Sequence, residues 1–189
     1  PVEVVAAWLC GCADEYLAQG PGTDRSWNGG DKVQDFRIAI AGFGWWGRHI
    51  ATRLQGHDAI AVDGIIEPNG ALHGDIEAFG LPVIPDLDAA LSDPAVDAVV
   101  LTTPNPVHEE QVVACAAAGK HVFCEKPLGL TAASARRSVE AVKAAGVQLG
   151  IGHERRFEPG LQRLRQALNG GELGIVMHAE AAFSHDKLK

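Results

Sequence analysis

The clearest chemical pattern in this chain is a set of three glycines at residues 42–47, GFGWWG. In such a pattern Gly42 suits a tight turn, Gly44 has no Cβ to hold a phosphate away from the backbone, and Gly47 allows close packing of a helix. The N-terminus of a following helix would present N–H groups and a positive dipole end to phosphates. The pattern alone is weak evidence, because 22 residues of the chain are glycine.

The surroundings of the glycines favour a dinucleotide site. Residues 36–41 form an apolar strand pattern that leads into the first glycine, and residues 48–54 have helical spacing, so we expect a helix to start just after Gly47. Glu67 lies 20 residues beyond Gly47, the separation at which such a site places the acid that binds a ribose. A glycine-rich turn without a ligand is the alternative, and it leaves this context unexplained.

Three further polar segments each follow an apolar run. They are residues 102–105 (TTPN), 125–127 (EKP) and 153–157 (HERRF). If the runs are parallel strands of one sheet, these segments share the edge at which open α/β sheets bind ligands. Lys126 could stabilise negative charge on a substrate oxygen or relay a proton. The alternative is a surface lysine paired with Glu125, which position alone favours.

Alternating strand and helix patterns position these segments. The continuous apolar run at residues 98–101 is typical of a central parallel strand covered on both faces. Asn105 is expected to cap the next helix, with Pro106 at its first position. Repeated strand–helix units imply right-handed crossovers and a parallel sheet. We therefore predict an α/β fold, a doubly wound Rossmann sheet, over residues 36–152.

Two other parts flank this predicted domain. Residues 1–35 read as an extension and a linker rich in Gly, Pro, Asp and Asn. Residues 153–189 read as the start of an α+β domain, with a helix opened by Pro159 and an alternating strand over residues 175–183. A single strand needs partners, so we expect this second domain to be truncated.

Composition argues against some classes of partner. The formal charge of −8 disfavours nucleic acid and anionic membrane surfaces, and no apolar run is long enough to span a bilayer. The four cysteines have no zinc spacing, and no metal is expected. Cys115 and Cys124 lie in apolar segments, where buried thiols are usual, and Cys10 with Cys12 is a weak candidate for a metal or redox pair. We expect inert thiols and a cytoplasmic location.

Four motifs resemble, in order and spacing, the glucose–fructose oxidoreductase / inositol dehydrogenase family (Gfo/Idh/MocA). They are GFGWWG, TTPNPVH, AGKHVFCEKPL and ERRFEP, and the resemblance covers about residues 36–185. It implies an oxidoreductase that transfers a hydride between NAD or NADP and a hydroxyl or carbonyl of a sugar, inositol or related polyol. Homoserine-type and dihydrodipicolinate-type reductases fit the glycines but not the Glu-Lys-Pro segment. The alternative function is a non-catalytic dinucleotide-binding or regulatory module.

The resemblance also implies roles for single residues. Lys126 would be catalytic, reaching the substrate oxygen. Glu67 would hold the adenosine ribose hydroxyls and favour NAD over NADP, since the following Pro-Asn-Gly offers no arginine. Expected beside the pyrophosphate and the adjoining ribose are Gly42, Phe43, Gly44, Trp45, Trp46 and Gly47. Expected around the nicotinamide half, and where the chain enters the second domain, are Thr102, Thr103, Pro104, Asn105, His108, Glu125, Lys126, Arg155 and Arg156. His153 is at least as readily a structural histidine as a ligand contact.

The resemblance places the remaining catalytic groups, an acid and a histidine one helical turn apart, in the second domain beyond Lys189. It also implies a small polar substrate and a homo-oligomeric full-length protein. The identity of the substrate, and turnover by residues 1–189 alone, are left open.

Overall fold

A computed structural model of the chain describes residues 36–182. The strands are β1 (Phe36–Ala41), β2 (Ile60–Ile66), β3 (Val83–Ile84), β4 (Ala98–Leu101), β5 (His121–Cys124) and β6 (Leu149–Ile151). The helices are α1 (Trp45–Leu54), α2 (His73–Ala78), α3 (Leu87–Ser92), α4 (His108–Ala117), α5 (Ala132–Ala145) and α6 (Pro159–Asn169). Short 3₁₀ turns cover Gly70–Leu72, Asn105–Val107 and Glu154–Phe157. The extension and linker predicted for residues 1–35, including Cys10 and Cys12, lie outside the described residues.

The six strands form one sheet in the order β3-β2-β1-β4-β5-β6, and every neighbouring pair is parallel. The chain builds outward from β1 in one direction and then from β4 in the other, so the order reverses between these two central strands. This is the strand order of the doubly wound dinucleotide-binding fold. The predicted fold class is confirmed.

Helices cover both faces of the sheet because side chains alternate along the strands. Ile38 and Ile40 of β1 pack with Ile50 of α1 on one face. Ala39 and Ala41 belong to the cluster on the other face, which α3, α4 and α5 cover. Full burial of one such isoleucine stabilises the fold by about 1.5–3 kcal/mol. The continuous apolar runs in the sequence therefore reflect strands that are buried on both sides.

Two predicted helix starts are wrong. Helix α1 begins at Trp45, inside the glycine pattern, with Gly44 at the N-cap position, so Gly47 lies within the helix. Asn105 does not cap α4: it opens a 3₁₀ turn, its carbonyl accepts a hydrogen bond from the His108 N–H, and the α-helix starts at His108. Helix α1 thus starts earlier than predicted, whereas α4 starts later, after a 3₁₀ turn. In both places the hydrogen bonds of the backbone set the first turn.

Helix α5 begins with a capping box. The Thr131 hydroxyl accepts a hydrogen bond from the Ser134 N–H at 3.1 Å, and the Ser134 hydroxyl accepts one in return from the Thr131 N–H at 3.0 Å. The helix ends at Gly146, whose φ of 68° is left-handed. The N-terminal cap therefore fixes the residue at which the turn after β5 ends and α5 begins.

The predicted strand over residues 175–183 is not formed at residues 175–182, and Phe183 lies outside the described residues. Ile175 and Met177 are 87% and 89% exposed. A strand needs a neighbour to pair its N–H and C=O groups, and the described strands all belong to the parallel sheet. Alternation of apolar residues is therefore not sufficient to form a strand at residues 175–182. The helix predicted from Pro159 is present as α6.

Within residues 36–182, none of the helices combines the length and the apolar character needed to cross a membrane.

Candidate dinucleotide site

The segments singled out in the sequence follow the carboxyl ends of five strands of the sheet. Residues 42–47 come after β1, Glu67 after β2, residues 102–105 after β4, residues 125–127 after β5 and residues 153–157 after β6. Because all these strands are parallel, the segments lie along one edge of the sheet. Between β1 and β4 the following helices turn to opposite faces, which opens a crevice at this edge.

Gly42 and Gly47 are required by the fold, independently of any ligand. Gly42 has a φ of +92°, which L side chains rarely adopt, and a Cβ there would lie 3.1 Å from the Thr102 carbonyl oxygen. A Cβ on Gly47 would lie 2.0 Å from the Gly42 carbonyl oxygen. These two glycines let the first turn of α1 pack against the end of β1.

Gly44 is different, because no contact within the protein requires a glycine there. Its φ of −69° is open to any residue, and no heavy atom lies within 4 Å of the place where a Cβ would be. The open space lies at the N-terminus of α1. The N–H groups of residues 45–47 precede the first helical bond, which Arg48 donates to the Gly44 carbonyl at 3.0 Å. The first turn carries no acidic residue, so the loop fits a phosphate group in both shape and charge.

Glu67 is tied into the glycine loop. Its carboxylate is buried, with 8% of the residue exposed. One carboxylate oxygen accepts a hydrogen bond from the Phe43 N–H and the other accepts one from the Asn69 N–H, both at 2.9 Å. The His73 ring nitrogen Nε2 lies 2.8 Å from the Glu67 carbonyl oxygen. The acid predicted to bind a ribose is therefore fixed next to the loop, and each oxygen keeps acceptor capacity.

The Phe43 side chain does not face the crevice. It is buried in the core, where its ring meets Phe79 edge-on at 5.7 Å and the Arg48 guanidinium lies 4.5 Å from its centroid. The contact with a pyrophosphate that was expected of Phe43 is thus open only to its backbone. Phe43 packs on the face of Ile38 and Ile40 rather than on that of Ala39 and Ala41, so the turn at Gly42, and not strand alternation, directs this side chain into the core.

Trp45 and Trp46 form an aromatic cluster with His49 on the first turns of α1. Trp45 is 69% exposed and stacks on the His49 ring at 5.3 Å with an interplanar angle of 4°. Trp46 meets the Trp45 ring edge-on at 4.7 Å. Trp46 and His49 also line a pocket that reaches across to Glu125 and His153. Both tryptophans follow directly after Gly44, and Trp46 lines the pocket that extends towards the ends of β5 and β6.

The hydroxyls of Thr102 and Thr103 are both used within the protein. Thr102 Oγ1 lies 2.8 Å from the Ala41 carbonyl oxygen and 3.0 Å from that of Gly42, and it donates to them. Thr103 Oγ1 donates to Gln111 Oε1 at 2.5 Å. Thr102 therefore joins the end of β4 to the glycine loop. Pro104 and Asn105, the next two residues, are exposed at the edge.

Glu125 is buried at the end of β5, while Lys126 is exposed. The Lys126 N–H donates to a Glu125 carboxylate oxygen at 3.2 Å. Burial raises the pKa of the Glu125 carboxyl above its ordinary value, and the hydrogen bond and charge of Lys126 oppose this shift. Within residues 36–182 none of the ion pairs involves Lys126. The described residues therefore do not contain the alternative ion pair between the Lys126 side chain and Glu125.

Gly152, which the sequence did not single out, makes room for Glu125. A Cβ on Gly152 would lie 2.5 Å from one Glu125 carboxylate oxygen. The sequence feature that could have identified it is a glycine directly after β6, at the same edge of the sheet as the other segments. The Glu125 carboxylate therefore rests on the end of β6.

His108 lies in the protein interior, with 0% of its surface exposed. Its ring nitrogens face the Thr103 and Pro127 carbonyl oxygens, so the ring does not border the crevice as expected. Arg155 and Arg156 are exposed on the turn after β6, where Arg155 pairs with Glu158 at 3.1 Å and the Arg156 N–H donates to the His153 carbonyl at 3.0 Å. These two arginines stand at the far end of the edge from Glu67.

The strand order, the glycine loop and the fixed acid define a nucleotide-binding protein of the Rossmann class. The chain belongs to the Gfo/Idh/MocA family: the family model described as "Oxidoreductase family, NAD-binding Rossmann fold" matches residues 36–153.

Known relatives agree with this assignment. The chain is 40% identical over 151 residues to an inositol 2-dehydrogenase of Acidothermus cellulolyticus, covering 77% of this chain and 44% of that protein. It is 34% identical over 140 residues to a 2,7-anhydro-N-acetylneuraminate hydratase of Escherichia coli K12, covering 73% and 37%. A solved structure of the WlbA dehydrogenase from Bordetella pertussis, in complex with NADH and UDP-GlcNAcA, matches with a TM-score of 0.70 and 29% identity over 75% of this chain and 44% of that one. The chain thus spans less than half the length of these relatives.

Proposed function

We propose that residues 36–157 bind NAD along the carboxyl edge of the sheet and take part in reversible hydride transfer to or from a hydroxyl-bearing carbon of a sugar, inositol or related polyol. The observation that carries the proposal is the open space at Gly44, at the N-terminus of α1 and beside the fixed Glu67 carboxylate. The names of relatives support the substrate class: one is an inositol 2-dehydrogenase, and the WlbA dehydrogenase structure contains NADH and a nucleotide sugar.

The adenosine half would be held at β1 and β2. The N–H groups of the first turn of α1 donate to the pyrophosphate, which approaches over Gly44 because that residue has no side chain. The Glu67 carboxylate accepts hydrogen bonds from the ribose hydroxyls. Its two bonds to backbone N–H groups hold it in place, so it cannot turn away from a 2′-phosphate. We therefore propose NAD as the preferred cofactor.

The nicotinamide half would lie towards β4 and β5, beside residues 102–105 and Lys126. The nicotinamide ring, when bound, supplies the hydride acceptor or donor. Lys126 lies at the end of β5, where its ammonium would stabilise negative charge on the substrate oxygen. In reduction the ammonium would give a proton to that oxygen, and in oxidation the neutral amine would take the hydroxyl proton and release it to solvent. The buried Glu125 carboxylate next to it keeps the backbone of the turn in place through the Lys126 N–H.

The family hosts more than one net reaction, since one relative is named a hydratase. Turnover therefore needs its own test. NADH binding is measured by fluorescence, and NAD reduction is measured on a panel of polyols and sugars, with Lys126→Ala beside Lys143→Ala as a control on the exposed last turn of α5. Turnover lost in Lys126→Ala and kept in Lys143→Ala supports the proposal. Equal turnover in both variants contradicts the role of Lys126.

Binding without turnover by the unaltered chain would instead support the dinucleotide-binding module. Absence of NADH binding would contradict the cofactor assignment.

A further inference from the structure

We propose that His108 is a positioning residue, which holds the turn carrying Lys126 against the turn carrying residues 102–105. This inference rests on the function proposed above and deepens it. The family resemblance implies a place for His108 beside the nicotinamide half, but the ring is fully buried and its contacts are with the backbone of the two turns.

The geometry joins both turns through one ring. His108 is the first residue of α4. Its Nε2 lies 2.9 Å from the Thr103 carbonyl oxygen, and its Nδ1 lies 2.8 Å from the Pro127 carbonyl oxygen. A carbonyl oxygen can only accept a hydrogen bond, so the ring is the donor at whichever nitrogen carries hydrogen. The imidazole therefore spans the gap between the two turns.

The two turns need such a link because the sheet stops holding them together just before they begin. The last paired residues of β4 and β5 are Leu101 and Cys124, and the Glu125 N–H still donates to the Leu101 carbonyl at 2.9 Å. Beyond this point one chain leaves for α4 and the other for α5. Just beyond this point, His108 places one ring nitrogen against a backbone carbonyl of each turn.

The position of the Lys126 ammonium depends on this backbone. The Lys126 side chain is exposed, and no ion pair among the described residues fixes it. The backbone at Lys126 is held on one side by the N–H bond to Glu125, which rests on Gly152, and on the other by the contact between the Pro127 carbonyl and the His108 ring. Loss of the ring would remove a hydrogen-bond donor from between the two turns and release one of these two sides.

The test separates the nicotinamide half from the adenosine half of the cofactor. Isothermal titration calorimetry measures the Kd of ADP, which lacks both the nicotinamide and its ribose, and the Kd of NADH. The ratio of the Kd of ADP to the Kd of NADH reports the contribution of the nicotinamide half. It is measured for the unaltered chain and for His108→Leu, His108→Gln and His121→Leu.

His121 is a matched control at the opposite edge of the sheet. It is the first residue of β5, its ring stacks on Phe36, and its Nδ1 accepts a hydrogen bond from the Gln148 N–H at 3.0 Å. It therefore also bridges two backbone segments, and its removal tests loss of a structural histidine away from Lys126.

We expect His108→Leu to bind ADP as the unaltered chain does and to lower the ratio about five- to tenfold, the equivalent of one lost hydrogen bond. His108→Gln should lower it less, because its amide nitrogen donates to one of the two carbonyls. His121→Leu should leave the ratio unchanged.

An unchanged ratio in folded His108→Leu, or an equal fall in His121→Leu, overturns the positioning role. If His108→Leu does not fold, His108→Gln decides: a lowered ratio supports the role and an unchanged ratio overturns it. If the unaltered chain binds ADP and NADH equally well, this inference fails while nucleotide binding stands. If it binds neither, the proposed function fails.

Discussion

Alanine substitutions at Gly44 and Gly47 separate a glycine kept for a ligand from a glycine kept for the fold. In Gly47→Ala the new Cβ would lie 2.0 Å from the Gly42 carbonyl oxygen, so the backbone must move. Overpacking of this kind costs about 1–3 kcal/mol, and better helix propensity returns about 1 kcal/mol of that. Because a 2.0 Å contact with backbone puts the overpacking cost at the upper end of this range, we expect Gly47→Ala to lower the free energy of unfolding by about 2 kcal/mol.

In Gly44→Ala the new methyl group meets no protein atom within 4 Å. Alanine is a poorer N-cap than glycine, which costs at most about 1 kcal/mol. The methyl group would, however, stand where we place the pyrophosphate. A clash of about 1–3 kcal/mol corresponds to a roughly 5- to 150-fold higher Kd for NADH.

The assay pairs urea unfolding, followed by tryptophan fluorescence, with an NADH titration of each variant. Gly44→Ala should remain nearly as stable as the unaltered chain and bind NADH much more weakly. An unchanged Kd for NADH in folded Gly44→Ala would refute the placement of the phosphates over this residue, and a large loss of stability would show that the protein itself requires the glycine.

Three further outcomes follow from the same geometry. Glu67→Ala should bind NAD less well and discriminate less against NADP, as measured by parallel titrations with the two cofactors; unchanged discrimination would rule out Glu67 as the selective residue. Burial raises the pKa of the Glu125 carboxyl, so the native state binds more protons than the unfolded state, and stability falls as the pH rises past the ordinary pKa near 4.5. Glu125→Gln should therefore gain stability relative to the unaltered chain as the pH rises from 4 to 7, as measured by urea unfolding. A difference in stability that stays constant over this range would contradict the shift. Burial raises the pKa of the Cys115 and Cys124 thiols to about 12, so each holds about a thousandfold less thiolate than an ordinary cysteine. Peptide mass spectrometry should find that iodoacetamide at pH 8 alkylates neither thiol until urea unfolds the chain. Alkylation of the native protein would disprove their protection.

The parallel sheet could be predicted because its signals are local. Each buried strand is a continuous apolar run such as residues 98–101, and Thr131 and Gly146 mark the ends of α5 by their own chemistry. The glycine pattern and Glu67 could be found for the same reason: each residue type meets a backbone or ligand requirement at a fixed spacing.

The errors lie where distant parts of the chain meet. His108 stands in a polar segment, PVHEEQ, and nothing local shows that the turns after β4 and β5 close over it. The need for Gly152 depends on a carboxylate 27 residues earlier. The alternating pattern over residues 175–183 predicted a strand that residues 175–182 do not form, because alternation describes one face and does not supply a neighbouring strand.

Amide NMR spectra recorded during a titration with NAD test the central claim most directly. Binding along the carboxyl edge predicts saturable shifts that are largest at residues 44–47, Glu67 and Lys126, with residues at the opposite edge, such as Asp97 and His121, unchanged. Saturable shifts confined to that opposite edge, or no saturable shifts at all, would contradict a dinucleotide site at the glycine loop.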